Sequence, residues 1–168
     1  MALVVTYDES NGVGEDLTVG ISNVAFGNSD AADLVPADNK IIAGDNSFSK
    51  YFKMVFTGMA SESLTEITTP KIWKSAGAYK TGEGVDYVGD DGGIAGLTYA
   101  TPSESATGDS SIPIAEPGSR NLALANSTTG VLTVDGKSDY MRMQRVTISS
   151  TPAGALNNLT FSMSYVVS

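Results

Sequence analysis

From Leu159 to Val167 the chain alternates without a break. Leu159, Phe161, Met163, Tyr165 and Val167 fall on one side, Thr160, Ser162 and Ser164 on the other. A period of two is the signature of a strand with one buried and one wet face. A helix would need apolar residues at i, i+3, i+4 and i+7, and no long window supplies them without Gly or β-branched interruptions. The nearest candidate, Asp30 to Leu34, is stopped by Pro36 and reads as a turn or a short 3₁₀ segment. This constraint leaves an all-β chain, and the uninterrupted apolar face of 159–167 predicts a strand central to its sheet.

The same period recurs. Tyr140 to Ile148 alternates Tyr140, Arg142, Gln144, Val146 and Ile148 against Met141, Met143, Arg145 and Thr147. Its first half is polar on one face, which predicts a strand that begins at a sheet edge or an interface. Tyr51 to Met59 sets Phe52, Met54 and Phe56 against Tyr51, Lys53, Val55 and Thr57. Leu17 to Phe26 places Leu17, Val19 and Ile21 on one face until the phase breaks near Asn23, as at a bulge or bend. Weaker strands are Leu3 to Tyr7, Ile67 to Trp73, Ala95 to Ala100 and Val131 to Val134. Turn residues divide these runs, and Val134-Asp135-Gly136-Lys137 is a hairpin candidate. About seven to nine short strands at this spacing predict a two-sheet antiparallel sandwich, jelly-roll-like or Ig-like, with little helix. A length of 168 residues fits one such domain, 1–168, with a sizeable core. Within it, 30–47 reads as a loop. The longer segment 101–121, with Pro102, Pro113 and Pro117, reads as a surface loop or an extended arm.

What is missing limits the chemistry. The chain has no His and no Cys. That removes imidazole acid–base work, thiolate nucleophiles, Cys- or His-bound metals and disulfides. Hydrophobic residues reach 41%, too many for a disordered chain, and charged residues only 17%. Nineteen acids against ten bases give a net charge of −9, which disfavours nucleic-acid backbones. The charge is uneven: 50–82 and 120–168 are basic on balance, 1–49 and 83–119 strongly acidic. A solvated acidic surface is one reading, and a basic patch for an acidic partner the other. The opening MALVVTYDES lacks the basic start and apolar length of a secretion signal, and no run approaches the ~20 apolar residues of a membrane helix. The expectation is a product of the cytoplasm with no membrane partner.

Several motifs are weak. Asp86, Asp90 and Asp91 precede a Gly-Gly turn and could offer oxygen ligands to Ca²⁺, but without EF-hand spacing they read as a polar hairpin tip. No two carboxylates stand in a glycosidase-like setting. Gly77, Gly82 and Gly84 lack the G-K-[ST] and following helix of a phosphate loop, so Gly82-Glu83-Gly84 reads as a turn. Asn126-Ser127-Thr128 and Asn158-Leu159-Thr160 match the glycosylation pattern by chance. The single Trp, Trp73, reads as a core anchor. Its rival role, with Tyr79 and Tyr87 nearby, is stacking on a sugar. No metal or organic cofactor is expected. Ile112 and Ile114 lie between prolines, as in an arm laid along a neighbour. Tyr140, Met141, Arg142 and Met143 are residue types enriched at interfaces. These six are the candidate interface residues.

The stretch KIWKSAGAYKTGEGVDYVG has a recognisable setting. SFSKYFKMVFTGMASESLTEITTPK precedes it, and TYATPSESATGDSSIPIAEPGSRNLAL, GVLTVDGKSDYMRMQRVTIS and TFSMSYVVS follow. Over residues 15–168 this order of segments resembles small all-β virion structural proteins of tailed bacteriophages, of the head-decoration or cement type. The resemblance implies a non-enzymatic protein that binds the outer surface of a phage head and stabilises its lattice. The implied partners are the major capsid protein and copies of itself as a homotrimer, and the implied location is the virion, after synthesis in the host cytoplasm. A tail or neck position fits the same style. A carbohydrate-binding or adhesin β-sandwich is the reading from a different class.

Overall fold

The computed structural model describes residues 2–11, 16–29, 34–89, 110–125 and 130–168. Ten strands run through them: β1 (Val4–Asn11), β2 (Asp16–Thr18), β3 (Lys50–Thr57), β4 (Ile67–Ala76), β5 (Glu83–Val88), β6 (Ser110–Ser111), β7 (Val131–Leu132), β8 (Gly136–Lys137), β9 (Met141–Thr147) and β10 (Thr160–Val167). The one helical turn among the described residues is the 3₁₀ segment Ala60–Glu62, which the sequence pattern did not signal. The fold is all-β, with two antiparallel sheets arranged as in a sandwich. The larger has the order β2-β1-β3-β9-β5-β6, with β8 beside the second half of β3, and the smaller the order β10-β4-β7.

Alternation decides what enters the core. Phe52, Met54 and Phe56 of β3, Met141 and Met143 of β9, and Val85 and Tyr87 of β5 meet Ile67 and Ile72 of β4. Phe161, Met163 and Tyr165 close the core from β10, and the Tyr165 ring stands edge-on to Phe56 at 5.2 Å. Full burial of a side chain of this size stabilises by about 1.5–3 kcal/mol, so this layer supplies the main drive to fold.

Five expectations change. The strand at 159–167 is not central among the described residues, where β10 is the edge of the smaller sheet. β9 does not begin at an edge, since it lies between β3 and β5. The strand from Leu17 stops at Thr18, and Leu17 and Val19 are exposed because Gly20 and Ile21 turn back to β1 through bonds to Asp8 and the Tyr7 carbonyl. Val134 to Lys137 is no hairpin, because β7 joins β4 while β8 joins β3, so this stretch crosses between sheets. Asp135 pins the crossing: its carboxylate accepts the N–H groups of Gly58 and Met59 at 2.9 and 2.8 Å. Finally, 110–121 is not an arm on a neighbour. Ser110 and Ser111 pair with β5, Ile112 is core, and Pro113 accepts the Lys74 N–H. Residues 101–109, the strand read at Ala95 to Ala100, and Asp30 to Asp33 lie outside the described residues.

Candidate interaction surfaces

The second face of β3 and β9 is closed rather than wet. Tyr51, Lys53, Arg142 and Gln144 are buried there, beside Asp8 and Ser10 of β1. Such groups are tolerated inside only with partners. Gln144 Nε2 donates to the Ser47 carbonyl at 2.8 Å, and Lys53 Nζ donates to Tyr140 Oη at 3.3 Å. On the core side, Lys50 Nζ pairs with Glu9 Oε1 at 3.1 Å, with both side chains out of water. At the far end of β9, the Arg145 guanidinium grips the fully buried carboxylate of Glu83, and its Nη2 also donates to the Asn157 carbonyl at 2.6 Å. The consequence is electrostatic. Lys50, Lys53 and Arg142 are buried and Arg145 nearly so. Four of the ten cations are therefore internal, and the buried acids Asp8, Glu9 and Glu83 nearly offset them, so burial hardly alters the charge balance of the exterior.

Five of the six candidate interface residues are internal. Ile112, Tyr140, Met141, Arg142 and Met143 are all buried. Tyr, Met and Arg are favoured in interfaces and tolerated in cores for the same reason, large area per side chain, so composition did not separate the two. Only Ile114 is presented to solvent, at 73% exposure.

The other motifs resolve simply. Asp90 and Asp91 lie outside the described residues, while Asp86 accepts the Ser111 hydroxyl at 3.2 Å. Among the described residues no group of three metal-binding side chains occurs. Gly82 has φ 74° and forms the turn into β5. At this turn the Glu83 carboxylate itself accepts the Lys80 N–H at 2.8 Å, so the loop already holds its own anion. An open depression of about 400 Å³ is lined in part by Tyr87, Gly89 and Arg120.

The smaller sheet carries the more informative surfaces. Trp73 is no core anchor. Its neighbour Ile72 enters the core, while Trp73 is half-buried on the outer face, opposite Ser162. On that face Lys71 lies opposite Ser164, and Glu116 Oε1 bridges them at 3.3 Å to Lys71 Nζ and 2.9 Å from Ser164 Oγ. The Ser164 bond first, then Lys71, holds the exposed Glu116 carboxyl below its ordinary pKa.

The two flanks of this sheet differ. On one, β4 is completed by β7 at Ile67 and Thr68, by the Asn121 side chain at Ile72 and by the Pro113 carbonyl at Lys74. On the other, no strand among the described residues pairs with β10. Residues 146–168 contain no Asp, Glu, Lys or Arg, and Val166 and Val167 are exposed. Sequence reasoning missed this surface, although the charge-free run is visible in the sequence.

No known protein family, no curated protein and no solved structure matches this chain.

Proposed function

We propose that this chain is a non-enzymatic virion structural protein, a decoration protein that binds the outer surface of a phage head and stabilises its lattice. Its partners in this reading are the major capsid protein and copies of itself. The observation that supports the reading most is the outer edge of β10, which no strand among the described residues pairs and which carries no charged side chain of its own, on an acidic protein. An unpaired strand edge is a template for another chain, and natural monomers blunt it with Lys, Pro or a cover. β10 has neither Lys nor Pro. On a lattice, many copies make modest contacts sufficient through multivalency. The test is mass spectrometry of purified particles from the source, followed by comparing the heat resistance of particles with and without the protein. Stoichiometric presence and lower heat resistance after removal are expected. Absence from particles would remove the reading.

A carbohydrate-binding module is the second reading, favoured by the outward position of Trp73 beside the Ser162 hydroxyl. An aromatic face flanked by hydroxyls can stack on a sugar. Polysaccharide retention that is lost in Trp73→Ala would select it.

A further inference from the structure

We propose that the β10 edge binds the β10 edge of a second copy of this chain, antiparallel and about a twofold axis at Ser162. This rests on the reading that the protein works in copies, and names the surface that joins them.

The backbone sets the register. Ile72 and Lys74 turn their N–H groups to Asn121 and Pro113, away from β10. In an antiparallel ladder, a residue whose groups face away from its partner strand lies opposite one that does the same. Met163 and Phe161 are the residues opposite Ile72 and Lys74. Their N–H and C=O groups therefore point outward along the open edge. Register irregularities fall between Thr160 and Phe161 and between Ser164 and Val166. The regular stretch is thus Phe161 to Ser164, and its outward groups belong to Phe161 and Met163. Setting Phe161 against Met163 of the partner, and the reverse, uses all of them. It puts Ser162 opposite Ser162.

Charge selects the occupant. Two copies of net charge −9 repel each other over most of their surface. Residues 146–168 carry no charged side chain, and the carboxylate that touches this strand, Glu116 at Ser164, is paired with Lys71, so the strand can meet its copy without setting unpaired like charges at the axis. Packing agrees. Phe161, Met163 and Tyr165 reach the core but remain half-buried, so a partner strand would complete their cover. The joined sheet would run β7-β4-β10-β10-β4-β7. Such a contact is isologous and closes at two copies, so it joins protomers in pairs rather than in the threes that the resemblance implies.

The protein lacks Cys, so an introduced thiol reports on its own position. Directly opposed Cα atoms of a pair that shares no hydrogen bonds lie about 4.5 Å apart, within disulfide range. Ser162→Cys in the full chain is therefore expected to form a covalent dimer on mild oxidation. Ser164→Cys places the two thiols about 14 Å apart along the strands and is expected to stay monomeric on a reducing-agent-free gel. Ser162→Lys sets like charges at the axis and is expected to weaken association about tenfold or more in sedimentation equilibrium. Equal cross-linking of both Cys variants, no cross-linking of either, or unchanged association of a folded Ser162→Lys chain would each overturn the proposal. These measurements use the purified chain alone. A failed cross-link thus counts against this edge, and absence from particles counts against the virion role.

Discussion

The carboxamide of Asn121 makes both backbone hydrogen bonds that a neighbouring strand would make to Ile72. Its Oδ1 accepts the Ile72 N–H and its Nδ2 donates to the Ile72 carbonyl, each at 2.8 Å. The same Nδ2 donates to Tyr87 Oη at 2.9 Å, so one side chain ties β4 of the smaller sheet to β5 of the larger. β7 is only two residues long and cannot reach Ile72. A single amide substitutes for the missing strand.

Removing it strands both backbone groups of Ile72 beside the core. An unsatisfied buried polar group costs roughly 1–3 kcal/mol. Asn121→Ala should therefore destabilise by about 2–4 kcal/mol in urea denaturation. Asn121→Asp keeps the acceptor but turns a second oxygen to the Ile72 carbonyl, and should rescue little. A stability for Asn121→Ala within error of the parent would show that water replaces the amide freely.

Adjacent residues of β4 should respond very differently to truncation. Ile72 is fully buried and Trp73 half-buried on the outer face. Ile72→Ala should cost about 2–5 kcal/mol, as deletions in a packed core do. Trp73→Ala should cost clearly less despite removing a larger side chain. The reverse order in thermal or urea melts would return Trp73 to the core.

That pair also shows where the sequence stops being legible. Counting by twos from Ile67 puts Trp73 on the core side. Yet Ile67 and Ile72, an odd number of residues apart, are both fully buried. The phase flips where Thr69 adopts φ 55°, opposite the register shift between Ser164 and Val166. A bulge of this kind leaves no mark in a Thr-Thr-Pro run, and one extra residue moves every later side chain to the other face. The strands β1, β3, β9 and β10 were readable because apolar alternation survives any choice of partner. Their order was not, since pairing depends on contacts far apart in the chain. The closed second face of β3 and β9 was hidden for a related reason. Lys53 and Arg142 look like wet residues in a sequence, and only the fold supplies the partners that let them be buried.

The pair Glu83 and Arg145 offers a double-mutant cycle. The Glu83 side chain is fully buried and that of Arg145 is 11% exposed. Breaking a buried pair from one side leaves an uncompensated charge, at about 3–5 kcal/mol. Glu83→Gln should fall near the lower end, because Arg145 keeps the Asn157 carbonyl and some solvent, and Arg145→Met nearer the upper end, because it leaves the fully buried Glu83 carboxylate with the Lys80 N–H but no counter-charge. The double variant should lose well under the sum of the two, since each single change already removes the shared interaction. Strict additivity in urea denaturation would mean that the two groups act separately.

Asp135 gives the protein an acid-sensitive clasp. The N–H of Gly58, then that of Met59, holds its carboxyl below the ordinary 3.8. A carboxyl with a lower pKa in the folded chain than in the unfolded one stabilises the fold at pH values above the unfolded pKa. That contribution fades as pH falls through the folded value. The loss should therefore lie below about pH 4. The exposed Glu116 carboxyl, lowered by Ser164 and Lys71, adds in the same direction. Asp135→Asn keeps one acceptor oxygen but has no proton to gain. It should melt lower than the parent at neutral pH, and its melting temperature should fall less steeply between pH 4 and pH 2.5. Because β7 and β8 join different sheets on either side of Asp135, acid should loosen the crossing at 133–135 before it loosens β3. Hydrogen exchange at acid pH would then show Gly58 and Met59 losing protection ahead of Met54. Parallel acid slopes for the parent and Asp135→Asn would dismiss the clasp.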